Sequence, residues 1–117
     1  MTDPVFDASA LLDLVGGDED LKREIIALYL AEYPRLLAGI RAAATSGDAR
    51  ALQFSAHALK GSVGNMAATR AYAAAEELET LARAEQIPEA RTAVATLERE
   101  LALLENALGP AAPQART

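Results

Sequence analysis

The sequence predicts an all-α protein: an antiparallel four-helix up-down bundle with a short extra N-terminal helix. Three observations predict it. The composition, with 28 Ala and 17 Leu among 117 residues but only 5 Pro and 7 Gly, is rich in strong helix formers and sparse in β-branched residues. Apolar residues recur near a 3.6-residue period over long stretches. The connections between those stretches are short, which favours antiparallel neighbours.

The first element is a short helix over Phe6–Leu12, with Asp7 or Ser9 as its cap, ended by Gly16-Gly17. The second runs from about Asp18 to Thr45, with Leu21, Ile25, Leu28, Leu36 and Ile40 as its apolar stripe. Pro34 lies inside that stripe and predicts a kink. Thr45-Ser46-Gly47-Asp48 is a turn followed by a new cap, opening a third helix from about Asp48 to Val63. A break falls around Gly64-Asn65. The fourth helix covers roughly Ala67–Glu85, with Leu78 and Leu81 inward and Glu76, Glu77 and Glu79 among its polar residues. Gln86-Ile87-Pro88 connects it to a fifth, from about Pro88 to Leu108, with the stripe Val94, Leu97, Leu101, Leu104, Leu108. Gly109-Pro110 stops it. The expected organisation is one helical domain over residues 1–108 and a flexible C-terminal tail over 109–117. The start at Met1 and that tail favour a complete small protein.

Several functions are excluded or disfavoured. There is no Cys, so thiolate metal sites, disulfides and cysteine nucleophiles are out. With one His, a site needing several imidazoles requires an oligomer. A di-iron bundle needs Glu-x-x-His pairs, and Phe54 stands three residues before His57. No metal site is expected. Neither G-x-x-x-x-G-K nor G-x-G-x-x-G occurs, so the chain is not a kinase by itself. The net charge of −6 sits wholly in the first twenty residues (Asp3, Asp7, Asp13, Asp18, Glu19, Asp20), which reads as helix N-terminal capping. No basic stripe is available for nucleic acid. No apolar run reaches the roughly 20 residues of a membrane span, and no signal peptide is seen. A monomer in the cytoplasm, binding neither membrane nor nucleic acid, is the expectation.

His57 lies mid-helix, so its neighbours follow from about 100° per residue. Gly64 and Arg50 fall about 20° to either side, Gln53 and Gly61 about 40°, Phe54 and Lys60 about 60°. Leu52, Leu59 and Met66 lie on the opposite side, which faces the core. His57 therefore points to solvent, sharing its face with Arg50, Gln53 and Lys60. An exposed imidazole is largely neutral at pH 7 and nucleophilic. Lys60, one turn on, can oppose the charge of an anion attached to the ring. Each interior glycine costs about 1 kcal/mol relative to Ala. Gly61 and Gly64 leave bare backbone where a partner can come close; Gly64 is equally read as a helix C-cap, and Gly61 as a tolerated defect.

Ser55-Ala56-His57-Ala58-Leu59-Lys60-Gly61-Ser62 resembles the signature of the histidine-containing phosphotransfer (HPt) domains of multistep two-component phosphorelays. The resemblance extends over about residues 7 to 108: an acidic helix start, a Pro inside the second helix, a Gly-Asp turn, then the histidine helix. It implies a four-helix bundle with His57 as phosphoryl acceptor, Lys60 assisting the phosphoryl group and Gly61 admitting the partner. The docking rim is then Gly61, Gly64, Arg50, Gln53 and Phe54. It implies no intrinsic cofactor, and Mg²⁺ on the partner, a response-regulator receiver domain or a hybrid sensor histidine kinase. Members often carry Gly ten residues after the histidine; here Ala67 stands there, and Gly64 and Asn65 are available to make the turn. Dimerisation domains of sensor kinases usually place an acidic residue directly after the histidine and Pro five positions on; Ala58 and Ser62 occupy those places. A non-catalytic helical adaptor, binding a signalling partner without phosphorylation, fits the composition and periodicity equally; only the His57 constellation separates the two.

Overall fold

A computed structural model describes residues 4–109, which form α1 (Ala8–Leu14), α2 (Glu19–Ser46), α3 (Ala49–Gly64), α4 (Thr69–Arg83) and α5 (Ile87–Leu108). The three N-terminal starts are set by aspartates. Asp7, Asp18 and Asp48 each accept a hydrogen bond from the backbone N–H three residues on, at 3.0 Å, satisfying donors that the helix leaves free. Of the two cap candidates for α1, Asp7 is the one used. Glu19 and Asp20 add negative charge in the first turn of α2. Gly47 closes α2 at φ +75°, a left-handed cap that glycine adopts without a Cβ penalty.

Packing runs around a ring: α2 on α3, α3 on α4, α4 on α5, and α5 back on α2. This is the expected antiparallel bundle. Leu52, Leu59, Val63, Leu78, Leu97, Leu101 and Leu104 fill its centre. Buried Ala56, Ala75, Ala82 and Ala90 let the helix backbones approach. Arg91 donates from Nε to the Ala44 carbonyl at 2.9 Å, and Tyr33 donates to Glu105 Oε1 at 2.7 Å; both tie α2 to α5. α2 continues through Pro34 as one helix. Among the described residues no helix is long and apolar enough to cross a membrane.

The buried stripe of α2 is rotated from the predicted one. Ile26, Tyr29, Leu37, Ile40 and Ala44 face the core, whereas Leu28 is 70% exposed and Leu21 39%. At about 100° per residue Leu28 lies roughly 160° round the helix from Ile26, at nearly the same height, so the difference is one of face. α2 spans about 42 Å and α3 about 24 Å at 1.5 Å per residue, and α1 packs against α2. The ridge of Ile25, Leu28 and Leu36 borders a groove, with Ile25 and Leu36 also packed against the core.

The turn from α3 to α4 also differs from expectation. Gly64 stays helical and Asn65 has φ −74°. Ala67 makes the turn, at φ +55°, and its carbonyl accepts from Asp7 N–H at 3.3 Å, holding the start of α1. A left-handed residue with a Cβ costs about 1–2 kcal/mol. Ala67→Gly relieves this but adds unfolded-chain entropy, about 0.4–1 kcal/mol. The expected result is a rise of about 0.5 kcal/mol in unfolding free energy, read by urea denaturation. A decrease would show that the Ala67 methyl, which packs against the core, outweighs the strain.

The expected tail begins at Gly109, which follows the end of α5; residues 110–117, like 1–3, lie outside the described residues.

Candidate functional site

The site is built on the hairpin of α3 and α4. The antiparallel register that sets Gly64 against Tyr72 also brings His57 level with Glu79. His57 is 68% exposed on the outer face of α3, opposite the buried Leu52, Ala56, Leu59 and Val63. Its Nδ1 lies 3.0 Å from Glu79 Oε2. Glu79 is 5% exposed. A carboxylate accepts only, so Nδ1 carries the proton and donates. Nε2, on the other edge of the ring, is left with its lone pair free.

Glu79, one of the polar residues of α4, is buried. It gathers three cationic or donor side chains. Besides His57, Lys60 Nζ approaches Oε1 at 2.8 Å, and an Arg83 guanidinium nitrogen approaches Oε2 at 3.1 Å. A buried carboxylate needs such partners, because an uncompensated charge out of water is costly. Its acidity reflects them. The Lys60 ammonium is the largest influence holding the carboxyl below the usual carboxylate range, and His57 adds to it, while burial pulls the other way. Reciprocally, the bond to Glu79 raises the Lys60 ammonium above its ordinary value.

Lys60 is therefore not a free solvated cation. Its side chain is 19% exposed and sits 5.9 Å above the ring of Tyr72, within cation–π range. Gly64 explains the position of that ring. A Cβ built on Gly64 meets Tyr72 at 3.3 Å, so the glycine, exposed on its other side, makes room for the tyrosine and is not a left-handed cap. Gly61 is different: a Cβ there has nothing within 4 Å. Packing gives no reason for it, and the bare backbone faces solvent.

Arg50, Gln53 and Phe54 join His57 and Glu79 around one shallow recess, so the structure brings all three together at the histidine. Phe54 is 76% exposed. It also borders the groove between α1, α2 and α3, lined by Leu14, Leu28, Leu36, Ala58 and Met66. Among the described residues no group of three or more His, Cys, Asp or Glu is placed to hold a metal.

Fold and site together define a small helical domain that presents one histidine from the middle of a helix, with a buried carboxylate behind it. The model of the Hpt domain family matches residues 24–107, and the chain belongs to that family. Its structure is similar to the crystal structure of histidine-containing phosphotransfer protein B (HptB) from Pseudomonas aeruginosa PAO1, with a TM-score of 0.85 and 28% sequence identity over 93% of this chain and 95% of that one. No curated protein matches it in sequence.

Proposed function

We propose that this chain is a phosphorelay carrier that accepts a phosphoryl group on His57 Nε2 and passes it on. The donor is a receiver-domain aspartyl phosphate or a histidine kinase; the acceptor is the aspartate of another receiver domain. The observation that carries this reading is the presentation of the one imidazole in the chain: exposed, with Nδ1 engaged by Glu79 and Nε2 left as a free nucleophile. Phosphoryl transfer needs positioning and charge stabilisation more than covalent machinery. A nucleophile with a nearby cation suffices when the partner brings the aspartate and Mg²⁺, and the chain then works without kinase activity or a cofactor of its own. A cytoplasmic monomer suits the role.

The partner lands on the outer face of α3. Gly61 and Phe54 lie on the side of His57 that continues into the groove, where Leu14, Leu28 and Phe54 are exposed. Arg50 and Gln53 border the same recess beside His57. The direct test is incubation with a phosphorylated receiver domain and Mg²⁺, followed by a search for acid-labile, base-stable phosphate on this chain. Absence of transfer from every receiver of the source cell would leave the adaptor reading.

Lys60→Ala is expected to slow transfer about a hundredfold without abolishing it, the low end of the range for losing a single electrostatic contact. The lysine opposes charge but forms no bond, and Arg83 still neutralises Glu79. An unchanged single-turnover rate would confine Lys60 to its ion pair.

A further inference from the structure

We propose that Glu79 keeps the Nδ1 proton on the His57 ring throughout the transfer cycle, so that the phosphorylated carrier is the Nε2-phosphoimidazolium rather than the neutral phosphoimidazole. The proposal rests on the relay reading for its biological sense and on the geometry of the ring for its chemistry.

Nδ1 faces a carboxylate oxygen at 3.0 Å. In that position a deprotonated Nδ1 would set its lone pair against a buried anion. A protonated one makes a charge-assisted hydrogen bond. The groups around the ring set the strength of this preference, Lys60 and Arg83 each drawing on the Glu79 charge that holds the proton. On α4, Glu79 is backed by Arg83, with Tyr72 and Glu76 acting on Lys60 further along the helix. On α3, Lys60 holds the other Glu79 oxygen, and Arg50 borders the recess. On α2, Glu32 and Arg35 lie across the groove beyond Phe54 and pair with each other. When Lys60 turns toward the phosphoryl group, Glu79 loses a partner. The imidazolium takes up that charge where it stands.

The chemistry then balances without proton transfer. The Nε2 lone pair forms the N–P bond as the P–O bond of the donor acyl phosphate breaks, and the electron pair departs with the donor carboxylate. The ring gains one positive charge beside Glu79. In the return step an acceptor carboxylate forms the new O–P bond, the N–P pair falls back onto Nε2, and the leaving group is neutral imidazole with its original Nδ1–H. Without that proton the leaving group would be an imidazolate, a far poorer one. Glu79 is thus a positioning residue: it touches neither phosphorus nor the partner.

His57 is the one histidine of the chain, so a histidine-selective ¹⁵N label gives a single ring to follow by two-bond ¹H–¹⁵N correlation. The full chain is phosphorylated with phosphoramidate, a small donor that needs no receiver. From about pH 6 to about pH 9 the phosphorylated ring is expected to keep its Nδ1 proton at least about one pH unit further in the wild type than in Glu79→Gln, a tenfold difference in protonated fraction. Loss of phosphate near pH 8 should slow by about the same tenfold factor in the variant. Coincident titration curves, with equal phosphate loss, overturn the proposal. So does failure of phosphoramidate to label the ring, because it denies the free Nε2. If Glu79→Gln does not fold, Arg83→Met serves instead. It strips one exposed cation from Glu79 and should move the inflection upward; no movement counts against the proposal. Transfer from a phosphorylated receiver is scored separately. A held proton without such transfer refutes the relay reading alone, and transfer with a freely titrating ring refutes this inference alone.

Discussion

His57→Gln is expected to remove phosphoryl acceptance entirely while leaving the bundle folded. The nucleophilic nitrogen is lost, and no second imidazole exists to replace it. The side chain is 68% exposed and contributes nothing to the core. Its structural duty is the bond to Glu79, and a glutamine amide can still donate to that carboxylate. Stability should therefore change by no more than about 1 kcal/mol, the size of one hydrogen bond. The measurement pairs acid-labile phosphate incorporation from a phosphorylated receiver with a thermal melt. Incorporation at the normal rate would assign the acceptor to another side chain.

Gly61→Arg should block transfer from a receiver, by a hundredfold or more, and leave labelling by small phosphodonors nearly intact. Transfer needs the aspartate in line with Nε2, and a misplacement of about 1 Å can cost 10²-fold. Gly61 lies one turn from His57, and a Cβ there meets nothing within 4 Å. The new side chain therefore projects into the partner's space and not into the bundle. Helicity should hold or rise, since Arg is the better helix former by nearly 1 kcal/mol. Gly64 makes the useful contrast. A Cβ there meets the Tyr72 ring at 3.3 Å, so the ring must give by a few tenths of an ångström and substitution at Gly64 mixes a packing change with any effect on docking. A folded Gly61→Arg protein that takes phosphate from a receiver at full rate would place the partner elsewhere.

The residues of the site were unequally visible in the sequence. His57, Lys60 and Gly61 share one helix, and helical geometry alone orders their angles. Glu79 lies 22 residues away on another helix, and it was read as one more polar residue of α4. A signal was present. Glu79 falls about 40° from Ala75 and about 60° from Ala82 at 100° per residue, both buried, and so stands at the margin of the apolar side of its own helix. Reading it as a partner of His57 required the pairing of α3 with α4, which depends on where the chain turns. That turn was expected at Gly64 and Asn65 and is made by Ala67 at φ +55°. Local preference disfavours alanine there; helix packing imposes the conformation.

What the sequence determined by itself is everything that depends on one helix at a time. The five helices, the aspartate caps of the first three, the outward aim of His57 and the buried leucines of α5 all follow from periodicity and capping, because backbone hydrogen bonds within a helix join residues only a few positions apart. Tertiary structure alone decided what depends on two helices meeting. It rotated the buried face of α2 to Ile26 and Tyr29 and left Leu28 on the groove side. It turned Gly64 into a socket for Tyr72. It brought Lys60, Arg83 and His57 onto the two oxygens of one buried carboxylate. Charges spaced across 27 positions carry no pairing code of their own; burial of Glu79 makes the pairing obligatory, because a lone carboxylate cannot be held out of water without its cations.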